Sequence, residues 1–494
     1  VARLIPSEVY NWIAGGEAPA ASGETIAKLS PHNGRLLCRL ARSGWDEVRA
    51  AVAAARAAQP AWAATPAVQR GYILHQVCNR LEQRAQEIAG IVAQETGKSL
   101  AEAKGETGGA IALGRFFAGE GQRLYGRTTT SGTANKYAMT VRVPCGVAGL
   151  IVAANTPIAN VAWKLFPALI CGNGVVLKAA EDTPATAWIV AKIAEEAGLP
   201  PGLCNVVQGL GPEAGAPLAE RADIDVLSFT GSSRVGRWLA EVAGRRLLKI
   251  SLELGGKNPL VVCDDADLEH AVKWAALSAF SNAGQRCASG SRLIVFEAVY
   301  DQFKQMLLDK ARGLRLGPSD LDDLGPVINQ RQMDNMLAAV QEAVGRGAVR
   351  LCGGRRASAP DLANGFYVQP TLLEGVDPED PISVNELFGP IACLYKAVGF
   401  AEALELANRS PYGLTACIHT QSFDRALEFA HRVQAGVAVV NMGTYGSEPH
   451  MPFGGVKVSG NGTREPGTEA LDIYSELKDI YLGVNPQVSP GGRP

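Results

Sequence analysis

Apolar positions recur along this chain in two rhythms. The N-terminal third has the spacing of helices. Trp45 to Arg56 is Ala-rich and amphipathic, and Gln69 to Gly90 places Ile73, Leu74, Val77 and Leu81 on one stripe. Ile91 to Gly119 reads as a further helical stretch, punctuated by glycines. Ahead of these, Tyr10 to Gly16 reads as a short strand and turn. Gln122 to Arg142 changes character: it is rich in Thr, Gly and Arg, and Tyr137 to Arg142 has the pattern of an edge strand.

From Val147 onward short apolar runs alternate with helical periodicity. Strands are expected at Val147–Ala153, Gly174–Lys178, Asn205–Gln208 and Asp225–Phe229. Helices are expected at Ile158–Cys171, Thr183–Ala197, Glu213–Glu220 and Arg234–Ala243. Uniformly apolar strands separated by helices are the mark of parallel βαβ units, because both faces of such a sheet are covered. After Gly255-Gly256 the alternation restarts with Leu260–Cys263, a helix over 266–283, a strand over 292–296 and a helix over 298–312. Later strands are expected at Ile391–Tyr395, Thr415–His419 and Gly436–Asn441. The pattern predicts an α/β protein: a Rossmann-like parallel-sheet cofactor domain followed by a second α/β domain.

Three junctions in this pattern carry candidate chemistry. Asn282-Ala283-Gly284-Gln285-Arg286-Cys287-Ala288-Ser289 joins a helix to a strand and holds Cys287 on a Gly-containing corner. Arg286 beside it is expected to favour the thiolate, although a lone cysteine in such a chain is commonly a small buried hydrophobe. Ser251-Leu252-Glu253-Leu254-Gly255-Gly256-Lys257 sets Glu253 within an apolar run. Desolvation there raises a carboxyl's pKa and suits a general base; a strand-end acid paired with a lysine is the alternative. At the end of Gly149–Ala153, Asn155 offers a side-chain amide for a developing oxyanion, or an ordinary turn.

Two places suit a dinucleotide. In Phe229-Thr230-Gly231-Ser232-Ser233 a strand ends where Gly231 and Ser232 open a helix, whose free N–H groups attract a pyrophosphate. Lys178 ends the second strand and Glu181 follows. An acid there meets ribose hydroxyls and repels a 2′-phosphate, which favours NAD over NADP. Gly209-Leu210-Gly211-Pro212-Glu213-Ala214-Gly215 is not the Gly-x-Gly-x-x-Gly pattern.

In these stretches the chain resembles the aldehyde dehydrogenase superfamily. Leu252-Glu253-Leu254-Gly255-Gly256-Lys257 and Gly284-Gln285-Arg286-Cys287 look like its glutamate and cysteine motifs. The likeness continues through Phe229-Thr230-Gly231-Ser232, Glu386-Leu387-Phe388-Gly389-Pro390 and Pro452-Phe453-Gly454-Gly455-Val456-Lys457. The resemblance implies NAD-dependent oxidation of an aldehyde to a carboxylic acid, with Cys287 as nucleophile, Glu253 activating water, and an oxyanion held by Asn155 and the backbone N–H of Cys287. Lys178 and Glu181 would bind the adenine ribose, and Glu386 and Phe388 the nicotinamide half. The family's Lys-Pro-Ala-Glu pattern reads Lys178-Ala179-Ala180-Glu181 here, without its proline. Lys164, just after Asn155, either assists or is a surface lysine.

The resemblance also places Thr156, Asn160, Trp163, Ser281, Arg286, Ala288 and Phe453 in the substrate pocket. Thr156 and Ser281 stand where relatives taking hydrophobic aldehydes carry aromatics. A small polar or carboxylate-bearing semialdehyde is therefore expected, with an aromatic aldehyde as the alternative. Arg286 either meets a substrate carboxylate or only packs. Glu253 favours hydrolysis over transfer to coenzyme A. A nucleotide-binding protein without turnover would lack the need for Cys287, Glu253 and Asn155 together. By the same resemblance, 1–121 and 143–254 form the NAD-binding domain and 255–455 the catalytic domain. Segments 122–142 and 471–484 form a β oligomerisation flap, implying a homodimer or homotetramer.

Composition narrows the setting. At about 150 residues per domain, 494 residues suggest roughly three domains. A formal charge of −2 with 19% charged residues gives no sign of the basic face of a nucleic-acid binder. No apolar run reaches the roughly 20 residues of a membrane span, and the opening Val1-Ala2-Arg3-Leu4-Ile5-Pro6 leads into no signal-peptide core. The 10 cysteines are scattered without Cys-x-x-Cys or zinc-like spacing, so nine are expected in the core, no metal site is expected, and a reducing cytoplasm is the expected compartment. The Pro/Gly-rich tail 485–494 is expected to fray.

Overall fold

A computed structural model describes residues 4–484; the expected frayed tail lies outside the described residues. Two seven-stranded sheets and a three-stranded ribbon organise it. In the first sheet Val147–Ile151 is central. Gly174–Lys178 and Cys204–Val207 extend it on one side, and Val226–Thr230 and Lys249–Glu253 on the other, all parallel. Asn11–Ile13 and Gly16–Ala18 add an antiparallel edge. The chain thus reverses its direction of travel between Val147–Ile151 and Val226–Thr230. Such a switch point opens a crevice at the carboxyl ends of the strands, and Asn155, Gly231 and Glu253 all lie just beyond or at those ends.

The second sheet is built the same way around Asn258–Val262, with Gly290–Phe296, Ile391–Ala397 and Thr371–Glu374 to one side. Thr415–His419 and Val437–Val440 lie on the other side. Its inner strands are buried along their lengths, as the apolar runs require. In the ribbon, Ser475–Gly483 pairs antiparallel with Lys136–Pro144, which also pairs with Thr128–Thr129.

Several helices differ from the periodicity alone. The stretch from Gln69 through Gly119 holds three: Ala67–Gln83, Ala85–Thr96 and Leu100–Glu120. The first break is at Arg84, whose guanidinium forks onto Glu87 at 2.8 and 2.9 Å. The second is at Gly97, left-handed at φ 79°, after which the Ser99 hydroxyl caps the next helix by accepting from Glu102 N at 3.2 Å. The expected 213–220 helix begins as a π-turn, Gly211–Gly215, before Ala216–Glu220. The expected 266–283 helix is Leu268–Phe280; it cannot continue, because Asn282 and Ala283 are left-handed at φ 53° and 52°.

All ten cysteines are free. Of the nine besides Cys287, all but Cys145 and Cys352 are buried, so those two depart from the expected core placement. Among the described residues no helix is long and apolar enough to cross a membrane.

Candidate active site

A cleft of about 330 Å³ opens at the switch point. Asn155, Thr156, Asn160 and Trp163 form one wall, and Gly231, Ser232 and Glu253 another. Cys287, Glu386, Phe388 and Phe453 close it from the second sheet's side. Five expected residues do not border it. Ala288 is buried against Leu414 and Phe453. Lys178 and Glu181 lie at the end of strand Gly174–Lys178, paired at 3.1 Å. Ser281 turns its hydroxyl back to the Leu277 carbonyl of its own helix at 2.6 Å. Arg286 points to Glu102 at 3.5 Å and lies 4.5 Å over the Tyr445 ring.

The loop carrying Cys287 is fixed by amides. Gln285 accepts from Ile328 N through Oε1 at 2.9 Å and donates from Nε2 to the Asn282 carbonyl at 3.3 Å. Asn258 Nδ2 donates to the carbonyls of Cys287 and Ser289, both at 2.8 Å. Gly256 is required beside it: a Cβ there would run into the Cys287 carbonyl oxygen. The Cys287 thiol is pushed up to about 12, chiefly by burial and then by the charges of Glu386 and Glu253. The expectation that Arg286 lowers this pKa is therefore not met, because its guanidinium is engaged elsewhere.

Asn155 has a defined orientation. Its Oδ1 accepts from Asn160 Nδ2 at 3.1 Å and its Nδ2 donates to the Gln285 carbonyl at 3.0 Å. An amide NH₂ has two hydrogens, so the second can serve an oxyanion.

Glu253 ends its strand only 4% exposed, and both carboxyl oxygens lack a hydrogen-bond partner. Its pKa is raised well above the ordinary carboxyl range, first by burial and next by the charge of Glu465, with Lys164 and Arg464 opposing. Gly454 lets the chain pass close by, since a Cβ there would lie 2.7 Å from Glu253 Oε1. Lys164 is not the surface lysine of the alternative reading. It is fully buried and donates to Glu465 Oε2 and Ser228 Oγ, each at 2.7 Å. Tyr474 OH donates to Glu465 Oε1 at 2.8 Å. Sequence reasoning missed Glu465, since Arg464-Glu465-Pro466 has no recognisable pattern, and also Gln332, which borders the cleft.

The residues fit a dinucleotide. Helix Ser233–Arg246 begins at the cleft with Ser232 as its cap and no acid in its first turn, so its N–H groups meet an anion without competition. A Cβ at Gly231 would collide with the Phe229 ring. Glu386 is pushed up to about 7 by burial, against the hydrogen bond from Gly256 N at 2.9 Å and the charge of Lys257. Burial works to raise Glu181, but the Lys178 charge and hydrogen bonding outweigh it and hold that carboxyl below its ordinary range. Among the described residues no three His, Cys, Asp or Glu side chains cluster to hold a metal ion.

The chain is similar to known proteins along nearly its whole length. The profile described as "Aldehyde dehydrogenase family" matches residues 18–480. The chain is 38% identical over 475 residues to the alpha-ketoglutaric semialdehyde dehydrogenase of Bacillus subtilis (strain 168), covering 96% of this chain and 97% of that one. It is 37% identical over 481 residues to the mitochondrial benzaldehyde dehydrogenase of Antirrhinum majus, covering 96% and 88%. The structure superposes on the betaine aldehyde dehydrogenase of Staphylococcus aureus in complex with NAD+ at a TM-score of 0.94, 30% identity and coverage of 97% and 95%. Matched from end to end in sequence and fold, the chain belongs to the aldehyde dehydrogenase family, as an NAD(P)-dependent oxidoreductase acting on aldehydes.

Proposed function

We propose that Cys287 is the nucleophile, Asn155 the oxyanion donor and Glu253 the base that activates water, acting on a small polar or carboxylate-bearing semialdehyde. The observation that carries this reading is that all three side chains border one cleft at the switch point of the first sheet. The Cys287 sulfur, its proton passed to solvent water, bonds to the aldehyde carbon, and the oxyanion is held by Asn155 Nδ2 and the Cys287 backbone N–H. Bound NAD supplies the hydride acceptor and a positive ring. Loss of hydride leaves a thioester on Cys287. Glu253 takes a proton from water, the hydroxide adds to the acyl carbon, and the carboxylic acid departs as the sulfur is freed.

Lys178 and Glu181 take the adenine ribose, and Glu181 selects NAD over NADP. Ser232 and the helix behind Gly231 take the pyrophosphate, while Glu386 and Phe388 hold the nicotinamide half. Thr156, Asn160, Trp163 and Phe453 line the substrate side, and the Bacillus relative's name supports a semialdehyde. Ser281 and Arg286 do not border the cleft, so a substrate carboxylate meets Arg286 only if that side chain leaves Glu102 and the Tyr445 ring. One observation favours an aromatic aldehyde instead: Trp163 and Phe453 stand edge to face at 5.4 Å in the cleft. The cofactor and catalytic domains divide near Gly255. The outer edge of Ser475–Gly483, with Leu477 and Tyr481 each 61% exposed, pairs with a second copy in a homodimer or homotetramer, and the enzyme works in the cytoplasm.

The test is a panel of carboxylated, cationic and aromatic aldehydes with NAD and NADP, scored by kcat/KM, with and without coenzyme A. Best turnover of a carboxylated semialdehyde with NAD is expected. Acyl-CoA as product would overturn the role of Glu253, and an aromatic preference would overturn the substrate class.

A further inference from the structure

Helix Leu100–Glu120 carries two carboxylates one turn apart, and each holds a different wall of the cleft. Glu106 Oε1 accepts the N–H groups of Ile158 at 3.1 Å and Ala159 at 3.4 Å. These open helix Pro157–Ile170, whose own cap residue Thr156 makes no side-chain bond. Glu106 Oε2 takes Lys98 Nζ at 2.6 Å, and Lys98 donates onward to the backbone carbonyl of Asn155 at 2.8 Å. On the same helix, Glu102 Oε1 accepts the N–H of Asn282 at 3.0 Å. Asn282 is the first of the two left-handed residues in the turn before Cys287. The walls are also joined directly, since Asn282 Nδ2 donates to the Asn155 carbonyl at 3.3 Å.

Neither Lys98 nor Glu106 borders the cleft, and their side chains are 4% and 7% exposed. Burying an ion pair is a poor way to gain stability, because desolvation offsets the attraction. Its value here is geometric. Residues four apart share a helix face, so one rigid helix fixes both the turn bearing Asn155 and the turn leading to Cys287. A shift of about 1 Å between nucleophile and oxyanion donor is enough to cost about 100-fold in rate.

We propose that Lys98 and Glu106 are positioning residues for the oxyanion site, setting the Asn155 turn against the Cys287 loop with helix Leu100–Glu120 as the common frame. This rests on the reading of Cys287 as nucleophile and Asn155 as oxyanion donor.

The test is a set of double-mutant cycles. Glu106→Gln, Lys98→Met and the pair together are each made alone and with Asn155→Ala. Glu106→Gln keeps an oxygen for the Ile158 N–H and removes the charged bridge. The expected result is a loss in kcat of about 10- to 100-fold, with NAD affinity and the iodoacetamide alkylation rate of Cys287 held within about twofold. Little of that loss is expected to remain once Asn155 is Ala. Losses that multiply with Asn155→Ala, or that fall equally on NAD binding and alkylation, overturn the positioning role. An Asn155→Ala enzyme of full activity overturns the oxyanion reading itself, and the positioning role with it. If Lys98→Met does not fold, the paired variant buries no unpaired charge and carries the same comparison.

Discussion

Lys164 and Glu465 meet at 2.7 Å with no exposed surface on either side chain, and both charges act on Glu253. Glu465 raises the Glu253 pKa and Lys164 lowers it. With Glu253 as the proposed base, the pair is expected to tune the pH at which it can take a proton from water. Glu465→Gln is expected to move the acid limb of the kcat profile to lower pH, and Lys164→Met to higher pH. Lys164→Met also strands a buried carboxylate, at a cost of about 3–5 kcal/mol, whereas the double variant escapes most of it. Profiles recorded with stopped-time assays, and urea titrations, check both. Shifts of the same sign in the two single variants would show that the pair does not act on Glu253 by charge.

On the proposed roles, Glu253→Gln is expected to separate the two halves of the reaction. On those roles acylation rests on Cys287 and Asn155, so a burst of NADH matching the enzyme concentration is expected to persist. Steady turnover should fall by about 10²–10⁴, the range for loss of a general base. Rapid mixing with excess aldehyde reads both at once. Loss of the burst itself would move Glu253 from water activation to thiol activation.

How much of this was legible in the sequence follows from how local each feature is. Gly174–Lys178 and Thr415–His419 coincide with their expected bounds, because an apolar run between turn residues is a local signal. The break at Arg84 was hidden, since the apolar stripe runs on across it and the residue that stops the helix is an ordinary arginine. Cys287, Glu253 and Asn155 stood out because each sits at a strand or helix end beside glycine, proline or a turn. Lys164 could be singled out only with two readings and Glu465 not at all, because the two are 301 residues apart and nothing in either neighbourhood reports the other. Side-chain direction was equally hidden. Ser281 and Arg286 flank the right loop, but the left-handed pair Asn282-Ala283 and the engagements with Leu277, Glu102 and Tyr445 turn them away from the cleft.

Arg286 offers a direct test of substrate class. Its side chain is 25% exposed, held between Glu102 and the Tyr445 ring. If a substrate carboxylate draws it out, Arg286→Leu lowers kcat/KM for a carboxylated semialdehyde by about 10- to 100-fold, the worth of a charged hydrogen bond. Benzaldehyde turnover should change little. Equal losses on both substrates would make Arg286 a strut between Tyr445 and Glu102.

Glu181 is expected to set cofactor choice through its negative charge beside Lys178. Glu181→Gln removes the repulsion of a 2′-phosphate while keeping the side chain's length. NADP turnover relative to NAD should rise by about tenfold or more, read as the ratio of kcat/KM values. An unchanged ratio would place discrimination elsewhere in the loop.

The raised pKa of Glu253 also ties activity to stability. Its folded-state value lies well above the ordinary 4.5 of an unfolded carboxyl. Below pH 4.5 the group is protonated in both states and contributes no pH dependence. Above that, the unfolded chain releases the proton first, so rising pH favours unfolding until the folded value is passed. Glu386, raised to about 7, adds a penalty of the same sign between pH 4.5 and 7. Glu253→Gln removes only the first penalty. The variant's Tm is therefore expected to match the parent's near pH 4.5 and to exceed it increasingly toward pH 8. A Tm difference that stays constant with pH would mean that Glu253 is not held protonated by its surroundings, and that its readiness to act as a base needs another origin.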